Sequence, residues 1–159
     1  MCKDMKQLVT NRKFLALGSI ILICTIMLSA FIFLKEKAII NDLSDIYPYI
    51  DSYSVEYKSE RGFGNDRFDI YSFKLKNRNK IDSFNLIDKK FRNEYAYFES
   101  MVENIKMNKD NSNTNIREKL NNFISNKDTK YFSKDFSGTK KLYLYNEKMN
   151  KGYCLILTI

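Results

Sequence analysis

The sequence predicts an α+β protein, with an N-terminal transmembrane helix and an antiparallel sheet of four or five strands packed on one or two helices. Three observations support this fold class: a long uncharged run near the N-terminus, a helical apolar period in the middle, and alternating segments near residues 53–76 and 141–159. The 159 residues are 44% hydrophobic and 29% charged, which is typical of a chain that folds around an apolar core.

Residues 14–34 form an uncharged run of 21 residues. As a helix they would cover roughly 31 Å, the thickness of the hydrocarbon core of a bilayer. A domain of this size rarely surrounds a helix that is apolar on every side, and a cleaved signal peptide has a shorter apolar region that ends in paired small residues. Bulky Ile23 before Cys24 also argues against lipoprotein processing. We therefore expect residues 14–34 to contact the lipid bilayer as an anchor.

The flanking charges predict an orientation. Residues 1–13 contain four Lys or Arg, whereas the first fifteen residues after the run contain two. The positive-inside rule then makes residues 1–13 a cytoplasmic basic tail and places residues 51–159 outside, as an extracytoplasmic α+β domain of a single-pass protein in the cell membrane. Residues 35–50 keep a helical apolar period until Pro48 and are expected to form a helical stalk.

The first part of the outer domain changes from strand to helix periodicity. Residues 53–57 and 67–76 alternate apolar with polar side chains around a turn-forming segment, and they predict a β-hairpin. Apolar residues then recur three or four apart over residues 82–105, which predicts a helix. A polar linker is expected at residues 108–115, followed by a shorter helix at residues 116–124.

The C-terminal part is predicted to end in a second hairpin. Residues 130–136 are expected to add a short irregular strand, and the runs at residues 141–145 and 153–159 form the hairpin. The last run is apolar on both faces, so it should be a central strand that is paired on both sides and covered. Tyr143 and Tyr145 point to one face, which is either a surface for a partner or a second covered face of the sheet.

The composition excludes several kinds of chemistry. The chain has no His and no Trp, with only five Gly and one Pro, so imidazole acid–base catalysis and a glycine-rich phosphate loop are both excluded. We predict no catalytic, cofactor-binding or metal-binding residue and no enzyme activity, although the abundant Ser and Lys leave an unmarked Ser/Lys pair open. Cys154 lies in an apolar run and is expected to be a small buried hydrophobe.

The charges of the outer part are evenly mixed. The formal net charge is +8, but the Lys and Arg residues of the outer part are scattered among Asp and Glu. A nucleic-acid-binding protein gathers basic residues on one stripe with aromatic residues between them. We therefore expect no nucleic-acid partner, and no pattern in the sequence indicates an oligomeric state.

One polar cluster stands out, at the tip of the first hairpin. Gly62 and Gly64 can supply the positive φ that such a tip needs, and the spacing of the oxygen-bearing side chains is not that of a calcium-binding loop. The cluster is either a solvated turn or a polar contact site, and the residues of that predicted contact site are Arg61, Asn65, Asp66, Arg67 and Asp69.

The order of these features is similar to that of small uncharacterised membrane-attached or lipoprotein-like proteins of low-GC Gram-positive bacteria. The resemblance rests on the hairpin tip at residues 60–69, the pair Tyr131-Phe132, and the closing Leu-Tyr-x-Tyr-Asn and Tyr-x-Leu hairpin at residues 142–155. It covers residues 51–159 and departs where those proteins often carry His or Trp. The resemblance implies a location and a fold, and no activity, cofactor or site residue.

These observations predict a membrane-anchored extracytoplasmic binding or accessory module of the bacterial cell envelope, whose partner is an envelope protein or a wall polymer. Two alternatives stay open. The first is a subunit of a larger membrane machine, in which Gly18 and Ser29 share a face of the anchor helix. The second is an envelope enzyme that uses the carboxylates of the first hairpin tip.

Overall fold

The computed structural model describes residues 2–60, 66–77, 83–105 and 112–159, with side chains from Ser19 onward except those of residues 112–115. The chain divides into two compact units, Met1–Ser44 and Asp45–Ile159. Two of the five residues in the predicted polar contact site, Arg61 and Asn65, lie outside the described residues.

The first unit is built on one helix, α1 (Cys2–Asp42). Its segment Ser19–Asp42 is long and apolar enough to cross a membrane, a property that signal sequences share. The hydroxyls of Thr25 and Ser29 donate to the carbonyls of Leu22 and Thr25, each at 2.8 Å. These bonds satisfy polar groups that would otherwise be costly in an apolar environment.

The predicted stalk of residues 35–50 is helical as far as Asp42. A 3₁₀ turn at Tyr47–Tyr49 follows, with Pro48 in its first turn, where a missing N–H is tolerated. The carbonyl of Tyr49 then accepts a hydrogen bond from the amide of Lys76, at 2.9 Å. This bond joins the turn to the end of the second strand.

The second unit contains a six-stranded antiparallel sheet, and the predicted α+β class is confirmed. Four or five strands were predicted, and the sixth is a two-residue strand at one edge of the sheet. The strands are β1 (Ile50–Lys58), β2 (Arg67–Leu75), β3 (Asn85–Leu86), β4 (Thr129–Phe136), β5 (Thr139–Asn146) and β6 (Lys151–Thr158). Their order across the sheet is β1-β2-β6-β5-β4-β3. The last strand therefore lies between β2 and β5 and is paired on both sides, as its two apolar faces predicted.

Two helices lie on one face of the sheet, and their starts differ from the prediction. Helix α2 (Lys89–Glu103) begins only after Asp88, whose carboxylate accepts from the amide of Phe91 at 2.9 Å and caps the helix. Phe84 fits the apolar period, but its ring packs on Phe132 of the sheet, 6.2 Å away. Helix α3 (Ser112–Ile124) includes residues 112–115, which were predicted as linker, and residues 108–111 lie outside the described residues.

The main core lies between the helices and the side of the sheet that they cover, here called the helix face. It is formed by buried apolar side chains of both layers, among them Ile70, Leu142, Leu144, Leu155, Phe98 and Leu120. Because burial of a large apolar side chain is worth roughly 1.5–3 kcal/mol, this layer provides a large share of the driving force for folding of the unit.

The other side of the sheet, here called the opposite face, is also buried. Tyr143 is fully buried and Tyr145 is 2% exposed, so this face is covered and the reading of these tyrosines as a partner surface is wrong. Phe84 lies 5.8 Å from Tyr145, between ring centroids, and Ile46 is buried as well. Cys154 is fully buried on this face, as predicted for a small hydrophobe.

Candidate functional site

The structure separates the described members of the predicted polar contact site. Arg67 and Asp69 are two positions apart in β2, so both side chains lie on the opposite face of the sheet. There a guanidinium nitrogen (Nη1) of Arg67 lies 3.5 Å from Oδ2 of Asp69. Asp69 is 1% exposed, whereas Asp66 is exposed just before the strand. Asp69 is therefore held in an ion pair that supports the sheet, and Asp66 faces solvent.

A cavity of about 340 Å³ lies at the base of the first hairpin, and we call it the hairpin-base cavity. Asp66 and Arg67 line it together with Ser59 and Glu60, and Met101 of α2 adds an apolar wall. The remaining wall residues are Phe68, Leu157, Thr158 and Ile159. Sequence reasoning found the polar side only, because the apolar side comes from a helix and a strand that are remote in sequence.

A larger groove of about 470 Å³ runs between α2 and α3, and we call it the helix groove. Phe91 and Ile124 form an apolar floor with Ile87, and the polar lining is Arg92, Tyr95, Glu99, Asn121 and Ser125. Apolar floors with a few convergent polar groups are typical of binding sites. Sequence reasoning missed this groove, because its lining comes from two helices that are separate in the sequence.

Tyr95 is the titratable group best defined in the helix groove. Its ring stacks on that of Phe91, with centroids 5.5 Å apart. Burial raises the pKa of Tyr95 to about 12, and the nearby carboxylates of Glu99 and Glu103 act in the same direction. The phenol therefore stays protonated at neutral pH and can donate a hydrogen bond to a ligand, but it cannot act as a base there.

A third cluster, which we call the clasp, joins Asp45 to the opposite face. Oδ2 of Asp45 accepts from the hydroxyl of Tyr143 at 2.9 Å and lies 3.3 Å from the ammonium of Lys141, while Oδ1 accepts from Lys134. The side chains of Asp45 and Lys141 are each 8% exposed. Asp45 is thus bound to two strands at once, β4 and β5.

The charge states in the clasp follow from its geometry. Burial alone would raise the pKa of Asp45, but the hydrogen bonds from Lys134 and Tyr143 and the charges of both lysines outweigh burial and hold it below its usual value. Burial raises the pKa of Tyr143, and the neighbouring Cys154 and Asp45 raise it further. The carboxylate is therefore ionised and the phenol neutral, which makes the clasp a structural network rather than an acid–base pair.

Among the described residues, no group of three or more His, Cys, Asp or Glu side chains is placed to hold a metal ion. Comparison of the chain with protein-family models, with curated proteins and with solved structures finds no match in any of the three.

Proposed function

We propose that this protein is a single-pass, membrane-anchored binding or accessory module of the bacterial cell envelope, with residues 51–159 outside the membrane. The observation that carries the proposal is the pairing of an apolar helix, long enough to span a bilayer, with a separately compact α+β unit in the same chain. An anchor of this kind confines the attached domain to the membrane surface, where a weakly binding module meets its partner at high effective concentration.

The orientation is proposed from the charges that flank the apolar run. Four Lys or Arg precede the run within residues 1–13, and two follow within the next fifteen residues. The positive-inside rule favours a cytoplasmic N-terminus for such a difference. A cleaved signal sequence would give the same orientation but would release the domain. A retained anchor and a cleaved signal sequence are therefore distinguished by the mass and location of the mature chain.

The helix groove is the proposed contact surface. Its apolar floor at Phe91 and Ile124 suits an apolar side chain of a protein partner better than a hydrophilic wall polymer. Arg92 and Glu99 carry opposite charges on the lining, and the Tyr95 phenol supplies a donor. A groove with these features can select both the shape and the polarity of an inserted side chain.

Photo-crosslinking in intact cells tests the binding proposal. A crosslinking amino acid replaces Arg92, which is exposed at the groove, and in a matched variant it replaces Met149, which is 54% exposed in the turn between β5 and β6. We expect one protein to be captured from position 92 and not from position 149. Capture of wall polymer would change the partner class. No capture above a chain that holds residues 1–50 alone would contradict the binding module.

A further inference from the structure

The charged residues of α2 are sorted along the helix. All of its basic residues come first and all of its acidic residues follow, in the order Lys89, Lys90, Arg92, Glu94, Glu99 and Glu103. The helix dipole favours the reverse order, with acidic side chains near the N-terminus and basic side chains near the C-terminus. Only the Asp88 cap opposes this effect at the start of the helix. Such departures from local preference are typical of functional surfaces.

Five exposed residues of α2 lie on one face of the helix, which we call the α2 stripe: Lys89, Arg92, Ala96, Glu99 and Glu103. They share this face because they recur at spacings of three and four. Small Ala96 is in the middle, with two basic residues before it and two acidic residues after it. Arg92 and Glu99 also line the helix groove, so the stripe borders the proposed contact surface.

The charges of the α2 stripe are complementary to those of the same stripe in the reverse direction. In a dimer with a two-fold axis, each contact between two different residues is made twice. With the axis at Ala96, Arg92 faces Glu99 of the second copy, and Lys89 faces Glu103 of the second copy. The antiparallel arrangement also sets the two helix dipoles against each other, and the small side chain at the axis lets the helices approach closely.

Other occupants fit this order of charges less well. A uniformly anionic polymer or lipid surface would be attracted at Arg92 and repelled at Glu99. Within the chain, Glu103 lies 3.8 Å from Arg117 of α3, but both side chains are more than half exposed and an ion pair of that kind is weak. The stripe therefore matches a partner with the opposite order of charges, and a second copy in the antiparallel direction has that order.

We propose that the α2 stripe is a self-association surface, on which α2 of a second copy of this chain packs antiparallel about Ala96. The inference rests on the proposed function, because it names the occupant of the surface that borders the helix groove. A contact along one helix is small beside the roughly 1,200–2,000 Å² of stable interfaces between soluble proteins. Two copies that are anchored in one membrane meet at high effective concentration, which compensates for the small area.

Cysteine crosslinking of the full chain in intact cells tests this inference. Cys2 and Cys24 are replaced by Ser, and buried Cys154 is kept so that its protection from a thiol reagent reports folding. Ala96→Cys is then compared with Met149→Cys, which is 54% exposed in the turn between β5 and β6. With a short, membrane-permeant bismaleimide, we expect Ala96→Cys to give a covalent dimer of this chain and Met149→Cys to give none above background.

Charge reversal tests the antiparallel arrangement. Arg92→Glu and Glu99→Arg, each added to the Ala96→Cys chain, oppose like charges at both symmetric contacts, so we expect each to lower the dimer yield about tenfold. The two changes in one chain should restore the yield, and two chains with one change each should crosslink to one another when they are expressed together. Lys119→Glu alters the net charge as Arg92→Glu does, but it lies exposed on α3 and should leave the yield unchanged.

The outcomes separate the second copy from the contact surface itself. If Ala96→Cys gives no dimer while position 92 captures a different protein, the inference is overturned and the proposed contact surface stands. If neither experiment gives a product, both fall. A dimer whose yield does not respond to Arg92→Glu and Glu99→Arg would also overturn the inference. Asn93→Cys, which is exposed beside the stripe, replaces Ala96→Cys if the latter loses the protection of Cys154.

Discussion

Replacing Asp45 by Asn removes the negative charge that the clasp places beside buried Lys141. Removing one partner of a buried ion pair costs about 3–5 kcal/mol. Lys134 is 39% exposed and contributes at most about 1 kcal/mol of this, while the Asn oxygen still accepts from Tyr143 and recovers about 1 kcal/mol. We therefore expect Asp45→Asn to lower the free energy of unfolding by about 3 kcal/mol.

Cys154 provides the assay for Asp45→Asn, because its thiol is buried on the face that the clasp covers. In the full chain, held in mild detergent with Cys2 and Cys24 replaced by Ser, a thiol reagent labels Cys154 only when the domain opens. A loss of about 3 kcal/mol raises this labelling rate about a hundredfold.

Asp135→Asn is the matched control for Asp45→Asn. Asp135 lies on the same hairpin and pairs with Lys140, but its side chain is 62% exposed. Because an exposed ion pair is worth less than about 1 kcal/mol, we expect this change to raise the labelling rate of Cys154 about twofold. Equal rates for Asp45→Asn and Asp135→Asn would refute the reasoning that the clasp is a buried, stabilising network.

Three further predictions use the same labelling assay. Gly152→Ala should destabilise the domain by about 3 kcal/mol, because the new Cβ would overlap the ring of Phe73 and lie 2.7 Å from the backbone oxygen of Leu144. A labelling rate within threefold of that of the natural chain would contradict this prediction. Asp69→Ala should cost about 2 kcal/mol because it removes the buried carboxylate that pairs with half-buried Arg67, whereas exposed Asp66→Ala should change stability by less than about 0.5 kcal/mol. Similar labelling rates for the two variants would be evidence against a structural role of Asp69. The pKa of Asp45 is lowered in the folded state, so the stability that its charge contributes is present above pH 3.8 and is lost as the pH falls below that value. The free energy of unfolding, measured by circular dichroism, should therefore decrease less on acidification in Asp45→Asn than in the natural chain.

The sequence predicted the elements whose periodicity is set by burial on one side. The first hairpin, the central position of the last strand and the apolar face of α2 all follow from spacing, because each depends on neighbours within one element. The start of α2 did not follow, since Phe84 has the spacing of the helix but packs on the sheet, and the Asp88 cap decides the boundary. The covered opposite face explains why a strand can be apolar on both sides.

The site was less predictable, because its parts meet only through tertiary structure. Asp45 and Tyr143 are 98 positions apart and show no motif that would join them. The charges at the tip of the first hairpin predicted a polar contact site, yet Asp69 forms an ion pair with Arg67 within the sheet. The lining of the helix groove from Arg92 to Ser125 combines two helices, so a single amphipathic stripe cannot reveal it.

The placement of the domain outside the membrane on a retained anchor is tested most directly by thiol accessibility in intact cells. Asn122 is exposed on α3, and Asn122→Cys in a chain without other cysteines reports the domain; native Cys2, alone in a second variant, reports the N-terminus. With a membrane-impermeant maleimide, we expect Asn122→Cys to react in intact cells and Cys2 only after permeabilisation, both in membrane-bound chains of full mass. The reverse labelling would contradict the orientation, and a shortened chain in the medium would show that the apolar helix is a cleaved signal sequence.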